Sequence, residues 1–354
     1  MDPLSQLATR AQERGGVRLY RKNVEKALTA LRSTEDFWVF VDRADLPVPA
    51  AAAIVEVLRE DGYLAVEEDR LRWTPAGLAW LETQNVPPYT SHLCPACEGR
   101  GIPFTADKEL YREFLRVSAG RPPAIQDFDQ GSVTPETTVS RVLFLEQNGD
   151  LWGKDILVLG AEDDLTGLAI ALTRKARRVL VLDIDARLVD FDNRAFRELG
   201  IDNAEARVFD LRNPLPKELL GAFDVFVSDP PETLASFRAF IGRGIAALRE
   251  EGAVGYFGLT LRDASVYKWR EFQRLLTGEF GVVITDILQN FNHYMNWDYH
   301  PHTRAAQIAP VAHPPREIWY RSAWYRIEVL PGFVRWNEPI DDDVFYLDEE
   351  GTTT

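Results

Sequence analysis

The feature that most constrains the fold is an alternation of short β-rich runs with helical patterns across residues 151–331. The β-rich runs lie at 155–160, 178–185, 205–210, 223–230, 253–260 and 282–291, and a last one ends near 330. Helical patterns separate them, notably at 165–175, 187–199, 233–248 and 263–277. This alternation predicts an α/β domain with a mostly parallel sheet and helices on both faces. The ligands of such sheets bind at the carboxyl ends of the strands.

Residues 1–85 predict a smaller, winged-helix-like α+β domain. Apolar residues at helical spacing lead into a turn at Asp61-Gly62, then a short hairpin over 63–74, then another helix. Some winged helices place one helix in the DNA major groove, which requires a basic surface. Residues 20–85 hold 8 lysines and arginines against 12 aspartates and glutamates. A structural or dimerisation role is therefore favoured, and nucleic acid is not the expected partner.

Residues 86–150 form a connector whose first part is rich in proline and glycine and contains a cysteine knuckle, Cys94-Pro95-Ala96-Cys97. One CxxC knuckle supplies two of the four ligands of a structural zinc site, and the sequence has no second knuckle. His92 or a second copy of the chain could complete the set. Cys94 and Cys97 therefore stay candidates, while the expectation is that no metal binds. Residues 332–354 are acidic and predict a flexible tail.

The acidic composition narrows the set of partners. The chain of 354 residues has a formal net charge of −15 and a pI near 4.9, which repels nucleic acid and anionic membranes and attracts cations. No run approaches the roughly 20 apolar residues of a membrane span, and the N-terminal segment lacks the apolar part of a signal peptide. Two cysteines imply no disulfide framework. The expected location is the cytoplasm, and frequent arginine and proline fit a thermophilic source.

Three consecutive acids follow the first strand of the α/β domain. A dinucleotide-binding domain would have the motif GxGxxG here, so that the backbone could approach a pyrophosphate. This chain has Gly160 followed by Glu162, Asp163 and Asp164, and carboxylates repel phosphate. NAD and FAD are therefore not expected, and the loop is predicted to bind a cation. The alternative is that the acids cap the following helix, which would account for one or two of them.

Acids also end the second and third strands. Asp183 and Asp185 stand about 20 residues past the first loop, where a carboxylate can hydrogen-bond ribose hydroxyls. Asp210 ends the third strand, where methyltransferase-like folds meet an adenine. Solvation of strand ends or helix capping is the alternative for each. Together with Gly160 and Glu162, these residues predict a binding site for a nucleoside that has no phosphate.

The fourth strand runs into the turn Ser228-Asp229-Pro230-Pro231-Glu232-Thr233. The two prolines stiffen this turn and hold its polar groups in place. Enzymes that methylate exocyclic amino groups often have an aromatic residue where this chain has Glu232, and a carboxylate suits a flexible cationic amine better than a planar base. We therefore predict that Asp229, Pro230 and Glu232 bind an amine, and that Asp229 also borders the nucleoside.

Residues 290–300 (NFNHYMNWDYH) are dense in aromatic and polar side chains just after a strand. Aromatic rings near acids bind ammonium groups by cation–π attraction, worth roughly 0.5 to 2 kcal/mol each. Tyr294, Trp297, Asp298 and Tyr299 are therefore candidates for a pocket that accepts the amine. Ordinary packing of a loop is the alternative.

These motifs together resemble the N4-bis(aminopropyl)spermidine synthase family, the branched-chain polyamine synthases of thermophilic bacteria and archaea. The resemblance runs from the winged-helix-like start through the cysteine knuckle to the Asp-Pro-Pro-Glu-Thr turn. It implies a methyltransferase-like (Rossmann-like) α/β domain, a homodimer, and transfer of aminopropyl groups from decarboxylated S-adenosylmethionine to the N4 amine of spermidine. Decarboxylated S-adenosylmethionine would be a co-substrate, and no tightly bound cofactor is implied.

The family's first-loop motif, Gly-Asp-Asp-Asp-Leu-Thr, aligns with residues 161–166 of this chain, where Ala161 and Glu162 stand in place of its glycine and first aspartate. Its last aspartate is catalytic in the family, so the resemblance assigns catalysis to Asp164, with Asp163 and Glu232 as further catalytic candidates. In the implied reaction Asp164 helps remove the proton of the attacking amine, which Glu232 and Asp229 orient. Two alternatives stay open: an S-adenosylmethionine-dependent amino-group methyltransferase, and a winged-helix regulator that senses a polyamine.

Overall fold

The computed structural model describes residues 2–340 and 345–353 of the chain. Its N-terminal domain packs helices against a two-stranded antiparallel hairpin. The elements are α1 (Pro3–Gly15), α2 (Arg21–Leu31), α3 (Phe37–Ala44), α4 (Val48–Glu60), β1 (Leu64–Glu67), β2 (Arg70–Trp73) and α5 (Pro75–Thr83). α1 begins where Asp2 accepts two backbone N–H groups of the first turn, and it ends at Gly16, whose φ of 72° favours glycine. The predicted winged-helix-like order is confirmed.

The connector contributes two helices before the sheet. α6 (Lys108–Ser118) and α7 (Pro135–Gln147) follow the loop that carries the cysteine knuckle. The Thr134 side chain accepts a backbone N–H group of the first turn and Pro135 occupies its first position, so the local sequence starts α7. Most of α7 is buried, including Arg141. It is therefore an interior helix whose polar side chains reach other buried groups.

Residues 155–329 contain a seven-stranded sheet within the described part of the chain. Its strands are β3 (Asp155–Leu159), β4 (Arg178–Asp183), β5 (Ala204–Val208), β6 (Val225–Ser228), β7 (Val254–Thr260), β8 (Val282–His293) and β9 (Arg321–Val329). The order across the sheet is β5-β4-β3-β6-β7-β9-β8. The first five are parallel, and β9 is antiparallel to both of its neighbours. The predicted mostly parallel, methyltransferase-like sheet is confirmed.

Helices cover both faces of this sheet. α8 (Thr166–Leu172), α9 (Ala186–Glu198), α10 (Leu234–Ala247) and α11 (Val266–Arg274) each follow a strand, and α12 (Arg304–Ile308) lies between β8 and β9. Ile156 and Val158 of β3 belong to one apolar core, and Leu157 and Leu159 belong to the other. Connections diverge on the two sides of β3, which leaves a crevice at the ends of β3 and β6. None of the helices in the described ranges is long and apolar enough to cross a membrane.

The N-terminal domain packs on the α/β domain through a shared core. Its buried apolar residues form one cluster with Trp297 and Trp319, which lie between β8 and β9. The rings of Trp38 in α3 and Trp319 lie 4.8 Å apart. Arg262, which is buried just after β7, pairs with Asp42 at 2.8 Å. These contacts give the N-terminal domain a structural role next to the loop between β8 and β9.

The acidic segment after residue 331 is packed in its described C-terminal part. Residues 341–344 and 354 of the predicted flexible tail, 332–354, lie outside the described residues. Phe345 is buried, and its carbonyl oxygen accepts a hydrogen bond of 2.7 Å from the cap residue of α10. Lys268 on α11 pairs with Asp348 at 2.9 Å. The prediction of a flexible tail is therefore wrong for 345–353, because the buried Phe345 and the partly buried Lys268 hold the acidic segment in place.

Candidate active site

Two adjoining cavities open at the carboxyl ends of the parallel strands. Residues that border the first, here called the strand-end cavity, include Gly160, Asp183, Phe209, Leu211, Phe345 and Tyr346. Residues that border the second, here called the aromatic cavity, include Glu232, Tyr294, Trp297, Tyr299, Tyr320 and Thr353. Asp129, Asp163, Asp229 and Pro231 line both. The two cavities therefore meet at a group of carboxylates.

The strand-end cavity combines one carboxylate of its own with apolar walls. Asp183 ends β4, and burial raises the pKa of its carboxyl group to about 6. Phe209, Leu211 and Phe240 supply apolar surface. Gly160 has a φ of 53°, and a Cβ atom there would lie 2.4 Å from the Phe240 ring. The loop after β3 therefore requires glycine at this position, where its backbone passes close to Phe240. These walls suit a flat heterocycle that also carries hydroxyl groups.

Neither cavity is lined by lysine or arginine among the residues that the structure describes. A phosphate or carboxylate of a ligand would therefore find no cationic side chain there, and it would face several acids instead. A sulfonium or ammonium group would find compensating charge. The site thus selects for cationic ligands.

Asp163 is the first-loop acid that reaches both cavities. Its Oδ2 atom accepts the backbone N–H group of Gly131 at 2.9 Å. Burial, reinforced by the charges of Asp183 and Asp229, raises the pKa of Asp163 to about 7. A carboxyl group with this pKa can gain and lose a proton near neutral pH.

Asp164, to which the family motif assigned catalysis, lines neither cavity. Its side chain is 1% exposed. One oxygen accepts the N–H group of Val133 and the other accepts a guanidinium hydrogen of Arg141, each at 2.6 Å. Burial raises the pKa of Asp164, and the adjacent positive charge of Arg141 opposes that rise. The structure therefore places Asp164 behind the cavities, in a buried ion pair.

Glu162, predicted to bind the cofactor, turns into the protein and caps a helix. Its two oxygens accept the N–H groups of Gly167 and Leu168 at 3.0 and 3.1 Å, in the first turn of α8. The side chain is buried beside Asp192, and burial raises the pKa of Glu162 to about 7. The capping alternative that the sequence left open therefore describes Glu162.

Asp185 and Asp210, also predicted to bind the cofactor, pair with nearby arginines instead. Asp185 accepts a hydrogen bond from Arg187 at 2.6 Å, and Asp210 accepts one from Arg212 at 2.7 Å. Burial by itself would raise the pKa of both carboxyl groups, but the hydrogen bonds from the arginines outweigh burial and lower it. Neither residue lines the strand-end cavity. Each aspartate is held by an arginine two positions further along the chain.

Asp229 lies where the two cavities meet, directly after β6. Its Oδ2 atom accepts hydrogen bonds from Arg141 at 2.6 Å and from the Tyr294 hydroxyl at 2.8 Å. Pro230 borders the aromatic cavity and Pro231 borders both. The turn that the sequence singled out therefore presents one carboxylate, fixed by two donors, to both cavities.

Glu232 faces the aromatic cavity together with Asp129. The Glu232 carboxylate accepts the N–H group of Thr260 at 3.1 Å, and burial, with the charges of Asp263 and Asp129, raises its pKa well above the usual value. Burial and the charge of Asp263 raise the pKa of Asp129 to about 8. These acids become more acidic when a cation comes near, so an entering ammonium group favours their ionised forms.

Four aromatic side chains supply the remaining wall of the aromatic cavity. The ring centroids of Tyr294 and Tyr320 lie 5.1 Å apart, and those of Trp297 and Tyr299 lie 5.8 Å apart. All four border the cavity. Asp298, which the sequence placed with them, does not line it.

Several residues of the site were missed at the sequence level. Asp263 follows β7, so it stands at a strand end like the acids that were predicted, and that position was the available signal. Asp129 and Arg141 belong to the connector, where no periodic pattern marks them. Tyr320 and the aromatic pair at 345–346 reach the cavities from distant parts of the chain.

Cys94 and Cys97 are free thiols, exposed and half-buried respectively. Over residues 2–340 and 345–353, no three histidine, cysteine, aspartate or glutamate side chains come together as metal ligands. The knuckle borders neither of the two cavities.

Comparison with known proteins identifies the family to which this geometry belongs. Residues 109–353 match the family described as "Branched-chain polyamine synthase A C-terminal domain". The chain belongs to the branched-chain polyamine synthase family. The resemblance inferred from the sequence motifs is thereby confirmed.

Members of this family match the chain over its whole length. The N(4)-bis(aminopropyl)spermidine synthase of Thermococcus kodakarensis is 42% identical over 352 residues, which cover 99% of this chain and 100% of the relative. That of Thermus thermophilus is 43% identical, with 99% of each chain covered. A crystal structure of the Thermus thermophilus branched-chain polyamine synthase, in complex with N4-aminopropylspermidine and 5'-methylthioadenosine, matches at 42% identity with a TM-score of 0.91. The match covers 99% of this chain and 98% of that one.

Proposed function

We propose that this chain transfers aminopropyl groups from decarboxylated S-adenosylmethionine to the N4 secondary amine of spermidine. The products would be branched-chain polyamines and methylthioadenosine. The observation that carries the proposal is the pair of cavities that meet at Asp163 and Asp229, one with apolar walls beside Asp183 and the other aromatic and acidic. The similar Thermus thermophilus enzyme binds a nucleoside and a branched amine together, which supports one ligand in each cavity.

The strand-end cavity would hold the nucleoside part of the co-substrate. Asp183 is available to ribose hydroxyls, and Phe209 and Phe240 offer apolar contact to the adenine. The absence of lysine and arginine from the described lining favours decarboxylated S-adenosylmethionine over S-adenosylmethionine, whose carboxylate would lack a partner. The sulfonium would lie at the junction, near Asp163 and Asp229.

The aromatic cavity would hold the polycationic acceptor. Asp129 and Glu232 supply carboxyl groups that ionise as ammonium groups enter. Tyr294, Trp297 and Tyr299 offer ring faces to the same groups. This combination of carboxyl groups and aromatic rings would position a flexible amine, which need not be planar to bind there.

The reaction would be an in-line displacement. The lone pair of the neutral N4 amine forms a bond to the aminopropyl carbon next to sulfur. The carbon–sulfur bond breaks, and its electron pair neutralises the sulfonium to give methylthioadenosine. In the first transfer the new ammonium group passes its proton to a carboxylate, whereas a second transfer gives a quaternary amine with no proton to lose. We assign the accepting carboxylate to Asp163 rather than Asp164, because Asp163 borders both cavities and has a pKa of about 7.

Mass analysis of the amines after incubation with spermidine and decarboxylated S-adenosylmethionine tests this proposal. The expected result is a gain of one or two aminopropyl units with release of methylthioadenosine, and fragmentation should place them on N4. A parallel reaction with S-adenosylmethionine is the control. Methylated product there, without aminopropylated amine in the first reaction, would refute the proposal in favour of a methyltransferase.

We further propose that the chain acts as a homodimer in the cytoplasm, with a small polyamine as substrate and without a nucleic-acid partner. The family resemblance supports the dimer, and the net charge of −15 disfavours nucleic acid. Light scattering should give twice the chain mass of 40.2 kDa. We also propose that the domains end at residues 85, 150 and 331. Limited proteolysis would test these boundaries.

A further inference from the structure

A fully buried arginine lies directly behind the junction of the two cavities. Arg141 is on the interior helix α7, and its side chain is 0% exposed. One terminal nitrogen donates to Asp164 and the other donates to Asp229, each at 2.6 Å. Its Nε atom donates to the side-chain oxygen of Asn292 at 2.8 Å. All three nitrogens of the guanidinium group are therefore engaged by protein groups.

These contacts close into a ring of hydrogen bonds. Asn292 donates to the Ser322 hydroxyl at 2.7 Å, and the Ser322 and Tyr294 hydroxyls lie 3.1 Å apart. Tyr294 donates in turn to the Asp229 oxygen that Arg141 also contacts. The ring thus runs from Arg141 through Asn292, Ser322, Tyr294 and Asp229 back to Arg141. Cooperative networks of this kind hold each member in one orientation.

A positive charge at this place requires an explanation, because the site in front of it binds cations. Arg141 would oppose ligand binding if its charge were exposed, and burying it is costly unless it is paired. Burial lowers the pKa of Arg141, but the charges of Asp164 and Asp229 outweigh this and keep it protonated. The ring of Trp324 lies 4.5 Å from the guanidinium carbon. The arginine is therefore stabilised as a charged group and shielded from the cavities.

The planar guanidinium group of Arg141 can fix the direction of its hydrogen bonds, which a simple positive charge could not do. It presents N–H groups in fixed directions, so it sets the orientation of both carboxylates that it bridges. The other oxygen of Asp229 is confined as well, because a Cβ atom at Gly258 would lie 2.0 Å from its Oδ1 atom. Asp229 is consequently held from both sides at the point where the two cavities meet.

We propose that Arg141 is a positioning residue, whose guanidinium group and hydrogen-bonded ring fix the Asp229 carboxylate so that it aligns the acceptor amine with the carbon under attack. The inference rests on the proposed aminopropyl transfer and adds a residue that touches neither cavity. Alignment acts on the rate of the displacement more than on the affinity for either ligand. Loss of the alignment should therefore lower kcat more than it raises KM.

Arg141→Lys tests whether the planar shape of the guanidinium group matters, because lysine keeps the positive charge but lacks the planar set of N–H donors. We expect kcat to fall about 100-fold, a loss that a 1 Å misplacement can cause. KM for spermidine and the dissociation constant of methylthioadenosine should change little. Ser322→Ala is the second variant, because Ser322 lines neither cavity. Loss of its link should lower kcat about 10-fold, the equivalent of one hydrogen bond. The melting temperature should fall moderately, because the buried Asn292 amide loses its acceptor.

Arg243→Lys is the matched control. Arg243 is also fully buried and lies 4.5 Å from an aromatic ring, that of Trp336, but it donates to backbone carbonyls rather than to carboxylates of the site. This variant should lose thermal stability and keep its kcat. An equal loss of kcat in the control would overturn the proposal, because any buried arginine would then have the same effect.

Three measurements keep the inference separate from the proposed function. Failure of the wild-type chain to produce aminopropylated amine would refute the function itself. With wild-type transfer established, a normal kcat in folded Arg141→Lys or in Ser322→Ala would overturn the positioning role. If Arg141→Lys does not fold, Ser322→Ala decides alone, through kcat measured well below its melting temperature.

Discussion

Replacement of Asp163 by asparagine should make the chain less active and more stable at the same time. Asp163 borders both cavities, and the charges of Asp183 and Asp229 add to its burial. Asparagine keeps the size and the hydrogen bond from Gly131 while it removes the ionisable group. A residue that serves only the fold would not show this combination, because its loss would lower stability.

The size of the stability gain follows from the pKa. The ordinary value is 3.8, and the folded-state pKa of Asp163 is about 7, so the folded chain binds the proton more tightly than the unfolded chain. The free energy of unfolding therefore falls as pH rises from about 4 to about 7, and it stays lower above that range. The difference corresponds to about 4 kcal/mol, an upper bound because the carboxylate borders open cavities. Asp163→Asn should recover up to this amount at pH 8 and nothing near pH 3.

The activity of the same variant should fall by about 10² to 10⁴, the usual contribution of a general base. In the wild type, kcat/KM for the first transfer should rise through about pH 7, as Asp163 loses its proton. The variant should lack this rise. Steady-state release of methylthioadenosine between pH 5.5 and 9 measures both, and chemical unfolding at pH 3 and pH 8 gives the stabilities.

Asp164→Asn provides the matched control, one position further along the chain. It leaves the buried Arg141 without one of its two carboxylate partners, which typically costs about 3–5 kcal/mol of stability. Activity should fall as well, but with a loss of stability at neutral pH. A stable, inactive Asp164→Asn beside an active Asp163→Asn would refute the assignment and return the base to the residue that the family motif marks.

Three further substitutions test other parts of the site. Glu232→Gln should raise KM for spermidine at least about 10-fold, since a charge-assisted hydrogen bond is worth about 1.5–3 kcal/mol. Calorimetry should show that methylthioadenosine binds the variant with unchanged affinity. Equal losses of affinity for both ligands would contradict the division into two cavities. Gly258→Ala should displace the Asp229 carboxylate, because the new Cβ would lie 2.0 Å from its Oδ1 atom, and a normal kcat would show that Asp229 tolerates movement. Trp38→Ala should lower the free energy of unfolding by about 3–5 kcal/mol and raise KM for spermidine, as measured by denaturant titration and initial rates; an unchanged KM would separate the N-terminal domain from the aromatic cavity.

The sheet could be predicted from the sequence because its strands carry their own signal. β3, β6 and β7 are buried along their whole length, so each reads as a short apolar run between helical patterns. The insertion of β9 between β7 and β8 could not be predicted in the same way. Pairing partners depend on contacts between distant segments, and no local pattern specifies that β9 pairs with both.

The acids of the site illustrate the limit of placing function at strand ends. Asp183 ends a strand, Asp229 follows one, and both line cavities. Asp185 and Asp210 occupy comparable positions, yet an arginine two residues later captures each carboxylate. The spacing Asp-x-Arg was present in the sequence and would have marked both as members of local ion pairs. A position at a strand end brings a carboxylate to the edge of the sheet where ligands bind. The nearest cationic side chain then determines whether that carboxylate faces the cavity.

The N-terminal domain packs against the aromatic wall of the site. A site for polycations must collect carboxylates that repel one another when no ligand is present, and the raised pKa values of Asp163, Asp129 and Glu232 record that repulsion together with burial. The aromatic wall is held from outside the α/β domain, because Trp297 and Tyr320 belong to the core that the N-terminal helices complete. Among the described residues, the N-terminal domain therefore supports the aromatic cavity through packing and ion pairs rather than through side chains that line it.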